Sequence, residues 1–334
     1  MKGLSGGGAG GPELTRQRCF GYCPGRRACR LRELMLSAVG AWRFGLCIVA
    51  ALNVLAWALA VAALKEARPA LSADSYAARR LQLSLSAAYV FGCAFRSALP
   101  VFDIPREVLT DSWLSSVAVG RSVATVAELC FAGQWAVLLL QCARTTGSRF
   151  ARTASLAVVP MIAAAECSSW YAVLTTDNAG HVAENSLWGL TAALVLCSMA
   201  AVRADWKPER RRTLLAWCVT GAAYVAFIFL ADVPGYWLRW MADHESGRHY
   251  LSITQGLHDV ATRWVVSDRW SDWKSEVTWM SLYFSVGVWV SISLTYVSAQ
   301  AMFRAPAAVE TRLQKSKNSV SAEQPRFRRK RASP

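Results

Sequence analysis

Five ionisable residues fall inside or at the end of long apolar stretches: Arg96, Arg121, Glu128, Glu166 and Asp232. Such groups cost a few kcal/mol each in a bilayer, so they are retained for pairing, for ion or proton pathways, or for contact with a ligand. Arg121 and Glu128 are seven residues apart, two helical turns, with Thr125 between them on the same face. At a rise of about 1.5 Å per residue, Arg96, Arg121 and Glu166 lie roughly 9, 12 and 15 Å below one boundary, and Glu128 roughly 22 Å. Charges at such depth face the bundle interior. Two readings follow. Either Arg96 and Arg121 neutralise Glu128 and Glu166 and lock three helices together, or the four line a water-filled cavity. In such a cavity a carboxylate without a close cation could carry protons.

A second group of polar residues is expected on loops above that boundary: Asp177, His181, Glu184, His249, His258 and Asp259. Carboxylates and imidazoles there could serve acid–base chemistry. No two of the four histidines have the i, i+4 spacing that places paired imidazoles on one helical face. The histidines therefore read as solvated surface groups, with no metal and no cofactor expected. No serine-nucleophile elbow presents itself. Cys19, Cys23 and Cys29 form C-x3-C-x5-C without a neighbouring His, which does not match a structural zinc site.

The elements that must hold these residues are membrane helices. The chain has 334 residues, 54% apolar and 18% charged, with a mean hydropathy of +0.24. Soluble domains run near 45–50% and about 25%, so disordered, collagen-like and small disulfide-stapled classes are excluded. A crossing needs about 20 apolar residues. Seven stretches approach this: 44–64, 81–102, 113–143, 153–176, 186–202, 214–233 and 277–303. The second is the weakest, since Arg96 interrupts it and Pro100 closes it, and a re-entrant second segment would leave six crossings. Trp113, Trp170, Trp188, Trp206, Trp237 and Trp279 are expected near segment ends, as an interfacial belt requires. The expected fold is all-α: a polytopic transmembrane bundle of about seven helices over residues 44–303. Close helix packing is expected at Gly120, Ala124 and Gly287. The connection 234–276 reads as an aromatic-rich loop, with an amphipathic helix within 250–266 lying on the membrane.

Charge sets the orientation. Loops 65–80, 143–152 and 203–213 (side B) carry twelve Lys or Arg against four acids. Loops 103–112, 177–185 and 234–276 (side A) carry six against eleven. The positive-inside rule puts side B and the C-terminus in the cytoplasm. With seven crossings, the basic N-terminal tail would then fall on side A, against the same rule.

Of the net charge of +15, the tails 1–43 and 304–334 hold +13. Basicity confined to two flexible ends suits anionic lipid headgroups. It lacks the patterned face or module of a nucleic-acid binder. Partners are thus expected to be the bilayer, anionic headgroups and a small ligand or lipid, with no nucleic acid. The leading expectation is a protein that binds a small ligand, lipid or partner in a polar pocket open to the non-cytoplasmic side. The alternatives are a membrane-embedded lipid hydrolase or transferase, and a proton-coupled carrier working through Glu128 or Glu166.

Overall fold

The computed structural model describes residues 37–297 and 302–303. The C-terminal tail, most of the N-terminal tail and the three N-terminal cysteines lie outside them. Residues 38–43, expected in the tail, already belong to the first helix. The described chain is an all-α bundle, and six helical stretches are long and apolar enough to cross a membrane: Ala38–Ala70, Val117–Thr146, Arg149–Thr175, Asn178–Ala201, Pro208–Glu245 and Trp270–Tyr296.

In chain order the long helices are α1 (Ala38–Ala67), α2 (Ala73–Ala98), α3 (Val117–Thr146), α4 (Arg149–Thr175) and α5 (Asn178–Ala201). Next, α6 (Arg211–Phe227) passes through a π-turn, Ile228–Asp232, into α7 (Val233–Glu245). A short helix α8 (Ile253–Thr262) follows, then α9 (Trp270–Leu282), a second π-turn Tyr283–Gly287, and α10 (Val288–Tyr296). A small sheet sits at side A. There β1 (Val101–Phe102) pairs antiparallel with β2 (Glu107–Val108), and β2 pairs parallel with β3 (Val265–Val266).

Polar caps, rather than apolar length, set the helix starts. The side chains of Ser37, Ser72, Ser116, Ser148, Asp177 and Ser252 each accept a hydrogen bond from a backbone N–H of the first turn. These satisfy donors that a helix end leaves without partners. The largest consequence is at α5. Asp177 opens it eight residues ahead of the expected Ser186, so His181 and Glu184 lie inside the helix and not on a loop. Likewise, α7 occupies the first part of what reads as the loop 234–276, and α9 its last residues. Trp170, Trp188 and Trp279 lie within helices, as does Trp237, and Trp113 and Trp237 are exposed.

The second segment is a helix of 26 residues packed antiparallel between α1 and α3. Its Arg79 reaches the Tyr296 carbonyl at one end and its Arg96 the Val101 carbonyl at the other. It is one continuous helix, although it is not among the six stretches long and apolar enough to cross a membrane.

Apolar residues of α3 and α4 (Leu139, Cys142, Val158, Ile162) form one core. Tyr89, Val90 and Cys93 of α2 form another with Trp273, Phe284 and Val288. A neutral polar knot ties α2, α3 and α10 together. Gln134, fully buried, donates to the carbonyls of Gln82 and Ser291, accepts from the Ser291 hydroxyl at 2.6 Å, and receives the Gln82 amide on its own carbonyl at 2.9 Å. Asn53 repeats the device between α1 and the α9–α10 region, donating to the Phe284 carbonyl and accepting from the Trp289 indole.

Two glycines permit the closest approaches near side A. A Cβ on Gly180 would lie 2.6 Å from the Ser168 carbonyl, so α5 can lie directly on α4 only without a side chain there. A Cβ on Gly256 would lie 2.1 Å from the Leu174 carbonyl, which seats α8 on the end of α4. The tight positions foreseen at Gly120 and Gly287 are also present, against Val101 and the Tyr89 hydroxyl respectively, and Ala124 is buried.

Candidate functional site

The close α4–α5 packing brings Glu166 and Glu184 to the face of α3 that carries Arg121. One guanidinium nitrogen, Arg121 Nη2, lies 2.9 Å from Glu166 Oε2, 3.0 Å from Glu184 Oε1 and 3.5 Å from Glu128 Oε2. All four side chains are buried, none more than 7% exposed. Three carboxylates from three helices thus meet a single arginine, and these four groups are formally two negative charges in excess. Buried charges are expected to be paired; here the pairing is incomplete.

Further groups extend the centre in three directions. Thr125 donates to Glu166 Oε2 at 2.6 Å and accepts from the Trp170 indole. His181 Nδ1 lies 2.7 Å from Glu184 Oε2, and its ring packs on Tyr236 of α7. Tyr283, the first residue of the second π-turn, donates to Glu128 Oε1 at 2.7 Å. Asp232 ends the first π-turn, half-buried, with its Oδ2 enclosed and without a hydrogen-bond partner. Single-turn π segments within α-helices recur at functional sites, and the second of those described here brings Tyr283 to this centre.

Two donor–acceptor mismatches mark the interior. Glu166 Oε1 is buried with no donor. A carboxylate oxygen of Glu128 and one of Glu166, both acceptors when ionised, lie within 4.8 Å of each other. One oxygen each from Glu128, Glu166 and Glu184 lies within 4.8 Å of the others, a spacing that suits a cation. In this structure the guanidinium of Arg121 already occupies the space among them.

Arg96 does not join the glutamates, contrary to the four-member network considered above. It reaches the Val101 carbonyl at 3.4 Å and Asp103 at 3.9 Å, and Asp103 in turn is 4.0 Å from Arg121. The reason is vertical: Arg96 sits in the last turn of α2, level with β1 and above the glutamates.

The loop residues divide sharply. Glu184 and His181 join the centre; His181 is buried, against its reading as a surface group. Asp177 is the cap of α5 and accepts from the Tyr171 hydroxyl. Asp259 is committed to Arg106, a fully buried arginine that also donates to the Asp103 and Val173 carbonyls, and to Arg263. His249 and His258 are exposed. Arg106 clamps α8 over the bundle, and β3 joins the same side-A cap. Outside the spans, burial and the nearby charge of Asp272 push the Glu107 carboxyl up from its ordinary range.

The signal that would have found Glu184 and His181 is the Asp177 cap, which extends the helix beyond its apolar portion. Gln82, Gln134 and Asn53 were legible only as neutral polar residues within apolar runs. The seven described cysteines are free thiols. No family model, curated protein or solved structure matches this chain.

Proposed function

We propose that this multi-pass membrane protein binds a small ligand at the Arg121–Glu128–Glu166–Glu184 centre, with access from side A, the non-cytoplasmic side by its acidic loops. The observation that carries the reading is the convergence of three buried carboxylates from α3, α4 and α5 on one guanidinium. A purely structural pair would need one acid per arginine, and each further buried charge costs stability unless something neutralises it. A ligand that supplies positive charge or donors would do so when bound. His181 and Tyr283 stand ready as further polar contacts.

The test is a thermal-shift screen of small solutes on the full chain in lipid nanodiscs. The expected hit raises the melting temperature of the native protein and fails to do so in Glu184→Gln. A hit of equal size in Glu184→Gln would place the ligand elsewhere and overturn the reading.

A second reading, a proton-coupled carrier, is favoured by the Glu128–Glu166 approach, which a proton would also relieve. It predicts proton flux in proteoliposomes that disappears in Glu128→Gln. The hydrolase or transferase reading draws less support, because Asp177 and Asp259 are engaged in capping and clamping while His249 and His258 stand apart at the surface. The basic tails are proposed to face anionic lipid headgroups, with the C-terminus in the cytoplasm.

A further inference from the structure

Between α6 and α9 the polar centre continues into an aromatic wall. Ring contacts run without a break from Trp217 to Trp135, Phe131, Tyr89, Tyr283, Trp279 and Phe227, with centroid separations from 4.6 to 6.3 Å. The run begins and ends on α6, after passing through α3, α2 and the α9 region. It meets the acidic centre at Tyr283, whose hydroxyl donates to Glu128. Phe227, 42% exposed, stacks on Trp279 and joins α6 to α9. The helix that carries Phe227 is the least buried of the six candidate spans, packed chiefly on α5.

We infer that the ligand is an organic ammonium: a primary ammonium group seated between Glu128 and Glu166, with its apolar body against the Tyr283–Trp279–Phe227 wall, entering between α6 and α9. This inference rests on the ligand-binding reading above. Three independent observations point to it. The centre is two negative charges in excess, so a cation is favoured over a neutral or anionic solute. Glu166 Oε1, on a side chain 3% exposed, lacks a donor, in a cluster where oxygens of Glu128 and Glu166 lie within 4.8 Å of each other, and an ammonium supplies N–H groups to both carboxylates. Aromatic faces attract organic cations through the ring quadrupole and shield their apolar parts from solvent. The oxygen offered to the ammonium is Glu166 Oε1, which Arg121 does not use, so the guanidinium keeps Glu166 Oε2 and Glu184.

The experiment compares n-hexylamine at neutral pH, where it is an ammonium, with hexan-1-ol, its neutral counterpart of like length. Binding to the full chain in nanodiscs is read by tryptophan fluorescence. Saturable binding of the amine at least tenfold tighter than the alcohol is expected, weakened tenfold or more in Glu166→Gln and severalfold in Trp279→Leu. Gln134→Leu, in the neutral knot, should leave it within twofold. Because Glu166→Gln could misfold, the native protein supplies a second readout: hexylamine should protect Glu128 and Glu166 from esterification by a membrane-permeant diazo reagent, which does not couple amines to carboxyl groups, measured by peptide mass spectrometry, and hexanol should not. Equal affinity for amine and alcohol, or no protection, overturns the ammonium assignment. If a neutral or anionic solute binds instead and depends on Glu184, the assignment fails while the ligand-binding reading stands. If no solute binds in a Glu184-dependent way, both fail.

Discussion

Two polar clusters are buried in this bundle, and they are built on opposite principles. The Gln82–Gln134–Ser291 knot is neutral. Its members exchange amide, hydroxyl and carbonyl groups so that nearly every donor and acceptor is met, with Gln82 Oε1 the exception. The Arg121 centre is charged, surplus in acid, and leaves Glu166 Oε1, Arg121 Nε and Asp103 Oδ1 without hydrogen-bond partners. A satisfied knot specifies which helices touch and asks for nothing else. An unbalanced one holds its groups in readiness for something that arrives. That contrast separates the part of the molecule built for assembly from the part that is a candidate for work.

The contrast can be broken from either side. The largest effect is expected from Arg121→Gln, which strands three buried carboxylates. A loss of about 3–5 kcal/mol follows from removing one partner of a buried ionic group, read as unfolding in detergent. A loss below 1 kcal/mol would mean that the centre is already neutral without the arginine. Gln134→Leu comes next. It abolishes three side-chain hydrogen bonds to two helices, α2 and α10, and since such bonds average about 0.6 kcal/mol in membrane proteins, a loss of about 1–2 kcal/mol is expected, with no effect on ligand binding.

Glu128→Gln sharpens the comparison. The amide still accepts from Tyr283 and removes one surplus charge, so stability should stay within about 1 kcal/mol of wild type or rise, while ligand binding or flux falls. If it unfolds the protein as Arg121→Gln does, the glutamates are structural and the two clusters are alike.

The smallest effect lies outside the membrane, at Glu107. A carboxyl raised on folding binds its proton more tightly in the folded chain. Its contribution therefore stabilises at acid pH and is lost as pH rises through its folded value. Unfolding midpoints of wild type and Glu107→Gln should coincide near pH 4 and separate slightly in favour of the variant above neutrality. A variant less stable at pH 8 would mean that the carboxylate is held by a cation in the folded state.

Much of the fold was legible from composition and run length, because burying a hydrogen-bonded backbone in lipid leaves helices as the economical solution for such runs. The face shared by Arg121, Thr125 and Glu128 was legible too, from the helical repeat alone. The partners were not. Arg96 was a natural match for a glutamate by depth, yet it lies in the last turn of α2, beside Val101 and Asp103. Glu184 and His181 were hidden by a rule of thumb: hydropathy measures where lipid-facing residues stop, whereas a helix stops where its backbone donors are capped. At α5 those two points differ by two turns, and the charged centre takes its third carboxylate from the difference.

By itself, then, the order of residues determined an all-α membrane bundle with deep charges on few helix faces, since periodicity and apolar length are local properties. Which charges meet was decided only in three dimensions. Gly180 lets α5 settle on α4, the Asp177 cap carries Glu184 up into the bundle, and the second π-turn brings Tyr283 to Glu128. Those are contacts between residues tens to more than a hundred positions apart, set by how helices pack and not by what any one segment prefers.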